Sequence, residues 1–173
     1  TGTPKGVLIE HSALATSMLA HGAALGVSRE TRVLQFSAHT FDVSLQELIT
    51  TLIYGGCVCI PNEQDRVNDL AGSVRRLKVN MLALTSSVAS TIKPEDVPLV
   101  QKLVLFGEEV KTSVLECWLG KASVFNAYGP TESSIFASVS KPFKGVEDAP
   151  NIGFPMNVNF WVTDPENPGR LCP

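Results

Sequence analysis

The sequence is poor in several features that mark well-known classes of protein. It has only four cysteines in 173 residues and no C-x-x-C pair, so the usual spacing of zinc ligands is missing. Its 14 Lys and Arg are outnumbered by 17 Asp and Glu, and the net charge of −3 argues against binding to nucleic acid. No apolar run approaches the roughly 20 residues that cross a bilayer. We therefore expect a reduced, cytoplasmic protein with neither a membrane nor nucleic acid as a partner.

What the sequence does contain indicates a folded α/β domain. Hydrophobic residues make up 44% and charged residues 18%, which argues against disorder. Continuous runs rich in Val, Ile and Leu recur along the chain, as in parallel strands that are covered on both faces. These runs predict strands at 7–9, 33–36, 57–60, 81–84, 103–106 and 124–127.

Helical patterns lie between these runs. Ser12 is expected to cap the first helix, and Ser44 with Glu47 matches the S-x-x-E capping box at the start of the second. The predicted helices cover 12–25, 44–54, 69–77 and 112–119.

Because strands and helices alternate, residues 1–140 are predicted to form βα repeats. The expected fold is a Rossmann-like, mostly parallel sheet with flanking helices. Further strands without a helix between them are expected at 135–139 and 160–162. The second of these lies in a proline-rich margin over residues 141–173.

Four short segments carry residue types suited to binding a nucleotide and a small ligand. They are 1–6 (TGTPKG), 41–44 (FDVS), 106–109 (FGEE) and 126–132 (NAYGPTE). Small residues let a backbone approach phosphate, Asp42 can pair with a cation, and Glu132 is a hard oxygen ligand suited to Mg²⁺. Taken singly, each segment has a plain structural alternative, such as a surface turn or an acid at the start of a helix.

Together, the order and spacing of these segments resemble those of adenylate-forming enzymes, most closely the adenylation domains of nonribosomal peptide synthetases. TGTPKG resembles the second half of the family's S-G-T-T-G-x-P-K-G loop. FDVS matches F-D-x-S, and NAYGPTE matches N-x-Y-G-P-T-E without a departure, whereas FGEE departs from the usual G-G-E-A. The resemblance covers essentially the whole chain. It implies the large N-terminal subdomain of such an enzyme, followed by the start of a β-rich segment.

The resemblance implies an ATP site. Tyr128 would stack on adenine, and Asn126 would face its amino edge. Thr131, Glu132 and Lys5 would be the catalytic residues: Thr131 would contact the α-phosphate, Glu132 would hold Mg²⁺, and Lys5 would close over the outer phosphates. The other residues implied in nucleotide binding are Gly2, Thr3, Gly107, Glu108, Ala127 and Gly129.

The resemblance also implies a site for an amino acid, in which Asp42 would pair with the α-ammonium group. The implied pocket for the side chain falls on Val43, Gln46, Ala83, Val104, Phe106, Ala127, Ile135 and Phe136. None of these eight residues is charged, so we expect an uncharged, mostly apolar amino acid. Phe106 and Phe136 would narrow the pocket.

In the implied reaction, the amino-acid carboxylate attacks the α-phosphorus of ATP and pyrophosphate leaves. The aminoacyl group would then pass to phosphopantetheine on a carrier domain, with condensation domains as further partners in the same synthetase. Two alternatives stay open: an acyl- or aryl-CoA synthetase of the same superfamily, and a nucleotide-binding module without catalysis. Asp42 speaks against the first, because a substrate without an ammonium group leaves this carboxylate unpaired.

The resemblance further implies that residues 1–173 are one partial adenylation domain. The first family loop is cut at Thr1. After Pro173, the expected ribose-binding Asp and the small C-terminal subdomain with its catalytic Lys are missing. We therefore expect the isolated segment to be inactive.

Overall fold

The computed structural model describes residues 6–172, which form a seven-stranded sheet with apolar clusters on both of its faces. The strands are β1 (Arg32–Leu34), β2 (Cys57–Cys59), β3 (Met81–Leu84), β4 (Lys102–Phe106), β5 (Ser123–Tyr128), β6 (Ser138–Val139) and β7 (Phe154–Pro155). Their order across the sheet is β2-β1-β3-β4-β5-β6-β7. The first five strands are parallel, and β6 and β7 continue the sheet in antiparallel pairing. The predicted mostly parallel α/β fold is confirmed.

Helices connect the parallel strands, as the alternating pattern predicts. They are α1 (His11–Ala24), α2 (Val43–Leu45), α3 (Thr51–Ile53), α4 (Glu63–Asn68), α5 (Leu70–Arg76), α6 (Ser86–Ala89) and α7 (Thr112–Trp118). A π-helical turn, Gln46–Thr50, joins α2 to α3, so that residues 43–53 form one continuous helix. Within residues 6–172, no helix has both the length and the apolar character needed to cross a membrane.

Neighbouring side chains of each central strand point to opposite faces of the sheet, because the side-chain period of a strand is two residues. In β3, Leu82 and Leu84 belong to one apolar cluster, whereas Met81 and Ala83 belong to the other. The first, which we call the closed cluster, includes Leu34, Leu82, Leu84, Val74, Ala89, Leu103, Leu105, Val114, Leu115, Trp118 and Val124. The second, the cavity-side cluster, includes Met18, Val33, Val43, Met81, Ala83, Val104, Phe125, Ala127, Ile135 and Phe136.

The strand order creates a crevice at one edge of the sheet. β1 and β3 are neighbours in the sheet, although β2 lies between them in the chain. Connections that leave β1 and β3 therefore diverge, and ligands of parallel α/β proteins bind beyond the carboxyl ends of the strands at such a point. The FDVS, FGEE and NAYGPTE segments all begin near this edge.

Two predicted helix caps are wrong. α1 begins at His11, and Ser12 donates from Oγ to the Glu10 carboxylate at 3.4 Å instead of capping the helix. Ser44 donates to the carbonyl oxygen three residues earlier at 2.7 Å. Glu47 does not return to the start of its helix, because its carboxylate is bound by the loop that follows β1.

Two predicted strands at the ends of the chain are also wrong. Residues 7–9 form no strand, and Leu8 is almost fully exposed. Residues 160–162 are exposed and lie outside any strand; the nearest pairing is an isolated bridge between Thr163 and Leu171. A strand requires a neighbouring strand along its length to form a ladder of backbone hydrogen bonds, and an apolar run alone does not create one. Strand β7 and the short helices α4 and α6 were not predicted from the sequence.

Candidate functional site

A cavity of about 890 Å³ opens at the carboxyl ends of the parallel strands. It is lined by residues 36–38, 41–43, 106–110, 126–130 and 135–136, together with Arg66, Thr85, Ala149, Pro150 and Ile152. Its volume is within the range of small-molecule sites. Three of the four sequence motifs contribute to this lining. The fourth, with Gly2, Thr3 and Lys5, lies outside the described residues.

Asp42 immediately precedes the 43–53 helix and lines the cavity. Its Oδ2 atom is buried and has no hydrogen-bond partner among residues 6–172. A buried carboxylate oxygen without a donor is unfavourable, so this position favours a ligand group that is cationic or donates hydrogen bonds. Val43 beside it is buried and lines the same cavity.

The FGEE segment leaves β4 and forms part of the cavity wall. Gly107 has a φ of 71°, a left-handed conformation that glycine adopts without strain. Glu108 accepts a hydrogen bond from Ser87 N at 2.8 Å, and hydrogen bonds from Ser87 hold the pKa of Glu108 below its ordinary value. A flat ligand can therefore lie against the backbone at Gly107 with an ionised, anchored carboxylate nearby.

The end of β5 supplies Asn126, Ala127 and Tyr128 to the lining. Asn126 is buried, and its Nδ2 donates to Asn151 O at 3.0 Å, so a distant loop orients this amide. Oδ1 is then the atom of the amide that can accept a hydrogen bond from a ligand. The Tyr128 side chain is half exposed, and its ring offers a face on which a planar group can stack.

Gly129 lets the chain after β5 fold back onto itself. A Cβ atom here would collide with Ile135 O and with backbone atoms of Phe136 and Ala137. Ser134 and Ile135 have left-handed φ values of 63° and 76°, which are rare for residues other than glycine. Because of this turn, only the last two residues of the predicted strand 135–139 pair in the sheet. The turn also brings Ile135 and Phe136 to the cavity.

Phe106 and Phe136 form an aromatic side of the cavity. Their ring centroids are 6.2 Å apart, and His21 meets the Phe136 ring edge-on at 5.3 Å. His21 is fully buried, with Nε2 3.0 Å from Thr50 Oγ1. Burial lowers the pKa of His21 to about 4, so this ring is neutral at pH 7.

Three predicted pocket residues do not line the cavity. Ala83 and Val104 are fully buried within the cavity-side cluster, which they share with the lining residues Val43 and Ala127. Gln46 is fully buried in the π-helical turn, and neither its side-chain oxygen nor its nitrogen has a hydrogen-bond partner in the described part of the chain. These three residues are buried behind the residues that line the cavity.

Thr131 and Glu132 are exposed in a short 3-10 helix that directly follows the lining residue Pro130, and neither belongs to the cavity lining. Glu132 borders a second, open depression of about 440 Å³, together with the hydroxyl-bearing residues Ser12 and Thr16 of α1. No group of three or more His, Cys, Asp or Glu that could hold a metal ion occurs between residues 6 and 172. Mg²⁺ is commonly held by one carboxylate and the phosphates of a substrate, and Glu132 fits that arrangement.

Part of the cavity lining was not predicted from the sequence. Residues 36–38 follow β1 after Gln35, and the rule that ligands bind beyond the carboxyl ends of parallel strands could have found them. Arg66 is held at the cavity by a hydrogen bond from its Nη1 to Phe36 O at 3.0 Å. The 149–152 loop is held there by the hydrogen bond that Asn151 O accepts from Asn126. Neither has a local sequence signal, because both depend on contacts between residues far apart in the chain.

Comparison with known proteins gives consistent matches. The family described as AMP-binding enzyme matches residues 1–172. The chain is 77% identical over its whole length to Nonribosomal peptide synthetase 7 of Gibberella zeae, and 54% identical to the FR901469 synthetase of a Dothideomycetidae species. It spans 4% of the length of the first of these proteins and 1% of the second.

Solved structures show the same architecture. AB3403, a four-domain nonribosomal peptide synthetase bound to AMP and glycine, is similar over 96% of this chain and 13% of its own, with a TM-score of 0.83 and 28% identity. The N-terminal subdomain of Klebsiella oxytoca NpsA, in complex with anthranilyl-AMSN, is similar over 94% of this chain and 45% of its own. Its TM-score is 0.77 and its identity 26%.

Proposed function

Because the chain belongs to the AMP-binding enzyme family, we propose that it forms the ligand-binding centre of an adenylation domain in a nonribosomal peptide synthetase. The proposed reaction joins an amino-acid carboxylate to the adenylyl group of ATP and releases pyrophosphate. Residues 1–173 would be an internal part of the large N-terminal subdomain, with the βα repeats in 1–140 and the margin in 141–173. The small fraction of each curated relative that the chain spans supports this reading.

The observation that carries the proposal is the buried, unpaired Oδ2 atom of Asp42 on the cavity wall. The α-ammonium group of an amino acid supplies both N–H donors and a compensating positive charge. An acyl or aryl acid without an amine would leave the carboxylate unpaired, which is unfavourable for a buried charge. Asp42 thus favours an amino acid over the substrates of acyl- and aryl-CoA synthetases.

ATP would bind at the part of the cavity formed by β4 and β5. The Tyr128 ring would stack on adenine, and Asn126 Oδ1 would accept a hydrogen bond from the adenine amino group. Gly107 and Ala127 expose backbone against which the base and ribose can lie, and Glu108 is the anchored acceptor beside them. The half-exposed ring of Tyr128 and the oriented amide of Asn126 support this arrangement.

The chemistry requires positioning more than covalent participation by the protein. A bond forms between a carboxylate oxygen of the amino acid and the α-phosphorus, while the bond from that phosphorus to the pyrophosphate oxygen breaks. Holding both reactants in line, and offsetting charge on the phosphate oxygens, supplies most of the acceleration. Thr131 would donate to an α-phosphate oxygen, Lys5 would offset charge on the outer phosphates, and Glu132 would hold Mg²⁺. When bound, Mg²⁺ supplies further neutralisation of the phosphate charge.

The apolar lining supports an uncharged amino acid. Val43, Phe106, Ile135 and Phe136 line the cavity and leave no partner among themselves for a charged side chain. The activated aminoacyl group would pass to the thiol of phosphopantetheine on a carrier domain, and condensation domains would use it next. Because ATP is a substrate, we place the reaction in the cytoplasm.

The test is substrate-dependent exchange of labelled pyrophosphate into ATP, measured with the native protein that contains this chain. The panel consists of glycine, L-alanine, L-valine, L-leucine, L-proline, L-aspartate, L-lysine, benzoate and octanoate. We expect exchange with at least one uncharged amino acid and none with aspartate or lysine. Exchange with benzoate or octanoate alone would favour the acyl- or aryl-acid alternative. ATP binding without any exchange would support the non-catalytic module instead.

The matched variants are Asp42→Asn and Asp96→Asn. Loss of one partner of a buried ion pair costs about 3 kcal/mol, so Asp42→Asn is expected to lower kcat/KM for the amino acid roughly 100-fold. Asp96 lies on an exposed 3-10 turn, and its variant is expected to retain wild-type exchange. Unchanged exchange in Asp42→Asn would contradict the assigned role of this carboxylate.

A further inference from the structure

The loop that follows β1 is held by a buried acid which does not line the cavity. Glu47 lies in the 43–53 helix and is fully buried. Its carboxylate accepts hydrogen bonds from Phe36 N at 3.1 Å, from Ser37 N at 3.0 Å and from Ser37 Oγ at 2.9 Å. A side chain therefore satisfies backbone N–H groups that a neighbouring strand would otherwise bind.

Two other side chains bind the carbonyl groups of the same residues. Arg66 Nη1 donates to Phe36 O at 3.0 Å, and Gln35 Nε2 donates to Ser37 O at 2.6 Å. All four backbone polar groups of Phe36 and Ser37 are thus bound by side chains. Both residues line the cavity, so this part of the wall is fixed by groups that lie on different elements.

The hydrogen bonds between Glu47 and Ser37 also close a loop, residues 37–47, which contains Asp42 and the first turn of the 43–53 helix. The hydrogen bonds join Ser37 to Glu47, and Asp42 lies midway between them in the chain, five residues from each (42 − 37 and 47 − 42). The loop contains the lining residues 41–43. With its two ends joined, the loop has little freedom to change the position of the Asp42 carboxylate.

Packing alone does not account for an acid at this position. Burial raises the pKa of Glu47 to about 7, while hydrogen bonds from Ser37 and Phe36 oppose that shift. An apolar residue of similar volume avoids the desolvation of a buried carboxylate, but it cannot accept three hydrogen bonds from the loop. The acid at this position therefore serves to hold the loop.

We propose that Glu47 is a positioning residue, which fixes the 37–47 loop and thereby places Asp42 for the ammonium group of the amino-acid substrate. The inference rests on the proposed function. Glu47 acts through Ser37 and Phe36 and touches neither reactant. The described residues assigned to the nucleotide lie on β5 and in the segments that follow β4 and β5, outside residues 37–47. Loss of Glu47 is therefore expected to weaken amino-acid binding selectively.

The kinetic test uses pyrophosphate exchange by the native protein that contains the chain, with whichever of L-alanine, L-valine, L-leucine or L-proline gives the fastest exchange. Glu47→Gln keeps the size of the side chain but replaces one acceptor oxygen by an amide donor, which opposes the N–H groups of Phe36 and Ser37. We expect the KM for the amino acid to rise at least tenfold and the KM for ATP to change less than twofold. Glu47→Asp, which keeps the charge with a shorter reach, is expected to fall between wild type and Glu47→Gln.

A milder variant and a matched control accompany this test. Ser37→Ala removes one hydrogen bond and leaves both backbone donors in place, so we expect a two- to fivefold rise in the amino-acid KM. It provides the same comparison if Glu47→Gln does not fold. Glu116→Gln is the control, because Glu116 is exposed on α7, outside the cavity lining and outside residues 35–47. Both KM values are expected to stay at their wild-type levels in this variant.

Hydrogen exchange supplies a readout that needs no substrate. Glu47→Gln is expected to accelerate exchange in peptides that cover residues 35–47, and to leave those from β4 and β5 unchanged. An equal rise in both KM values, or unchanged exchange at 35–47, would reduce Glu47 to a packing role and overturn the inference. Absence of pyrophosphate exchange by the wild-type protein would contradict the proposed function, while the hydrogen-exchange result would still decide whether Glu47 holds the loop.

Discussion

The two faces of the sheet are built from different residues and serve different ends. The closed cluster consists mainly of Leu and Val with the buried Trp118, and it is packed against α5, α6 and α7. The cavity-side cluster mixes small residues such as Ala83 and Ala127 with Phe136. Beside it lie the buried polar side chains of His21 and Glu47. Of the buried members of the closed cluster only Val110 lines the cavity, whereas the cavity-side cluster supplies Val43, Ala127, Ile135 and Phe136 to its lining.

This difference shows that residues of the apolar core and residues that line the cavity alternate along single strands. Leu105 and Phe106 are neighbours in β4, but Leu105 belongs to the closed cluster, whereas Phe106 packs against the other cluster and lines the cavity. Because successive side chains of a strand alternate between faces, a continuous apolar run contains both kinds of residue. Substitutions one position apart are therefore expected to have different consequences.

The largest effect is expected from a substitution that disrupts the cavity and leaves the closed cluster in place. In Gly129→Ala, the added Cβ meets backbone atoms of Ile135, Phe136 and Ala137, which cannot move without opening the turn. We expect pyrophosphate exchange to fall more than 100-fold, with hydrogen-exchange protection of the closed-cluster strands retained. Gly120→Ala is the control, because Gly120 lies outside the cavity lining and its variant adds only the strain of a left-handed φ, about 1 kcal/mol. Equal activity of the two variants would contradict the role of Gly129.

The next largest effects are expected from Leu105→Ala and Phe106→Ala, which change neighbouring residues on opposite faces of β4. Leu105 is fully buried, so its truncation is expected to destabilise the protein by about 2–5 kcal/mol without changing which amino acid is preferred. Phe106→Ala enlarges the cavity and is expected to shift the preference toward larger apolar amino acids. Urea unfolding and the amino-acid panel measure the two outcomes. A changed preference in Leu105→Ala would show that the two faces are not separate in function.

The smallest net effect is expected from pH, because two buried titratable side chains, Glu47 and His21, contribute with opposite sign. The pKa of Glu47 is raised from 4.5 to about 7, so the unfolded state binds fewer protons in this window and stability falls as the pH rises through it. The pKa of His21 is lowered from 6.5 to about 4, so stability falls as the pH drops through that window. Each contribution is about 3 kcal/mol when complete. The two oppose each other between pH 4.5 and 6.5.

Single variants should reveal each contribution. When the pH falls from 7 to 5, the free energy of unfolding of His21→Gln is expected to rise relative to that of wild type. The free energy of unfolding of Glu47→Gln is expected to fall relative to wild type over the same change in pH. The measurement is the urea midpoint of unfolding at both pH values, with the exposed His39→Gln as the control. A midpoint difference between pH 5 and pH 7 that is the same in all four proteins would contradict the opposed contributions.

Much of the fold could be predicted because its signals are local. The apolar runs around Val33, Leu82, Val104 and Val124 are strands of a parallel sheet, since burial of both faces is encoded within four or five consecutive residues. Strand ends follow from the same runs, so the FDVS, FGEE and NAYGPTE segments could be expected at the edge that forms the cavity. The family suggested by these motifs is confirmed by the match over residues 1–172.

The sequence by itself therefore determined the class of fold, the edge that carries the site and the family. Tertiary structure alone decided that Glu47 binds the loop after β1, that Asn151 orients Asn126, that Arg66 reaches the cavity wall and that Gln46 lies behind it. These relations join residues between 10 and 30 positions apart, as with Glu47 and Ser37 or Arg66 and Phe36. Their formation depends on how helices and loops pack across the sheet, and no local pattern of burial or backbone preference encodes that geometry.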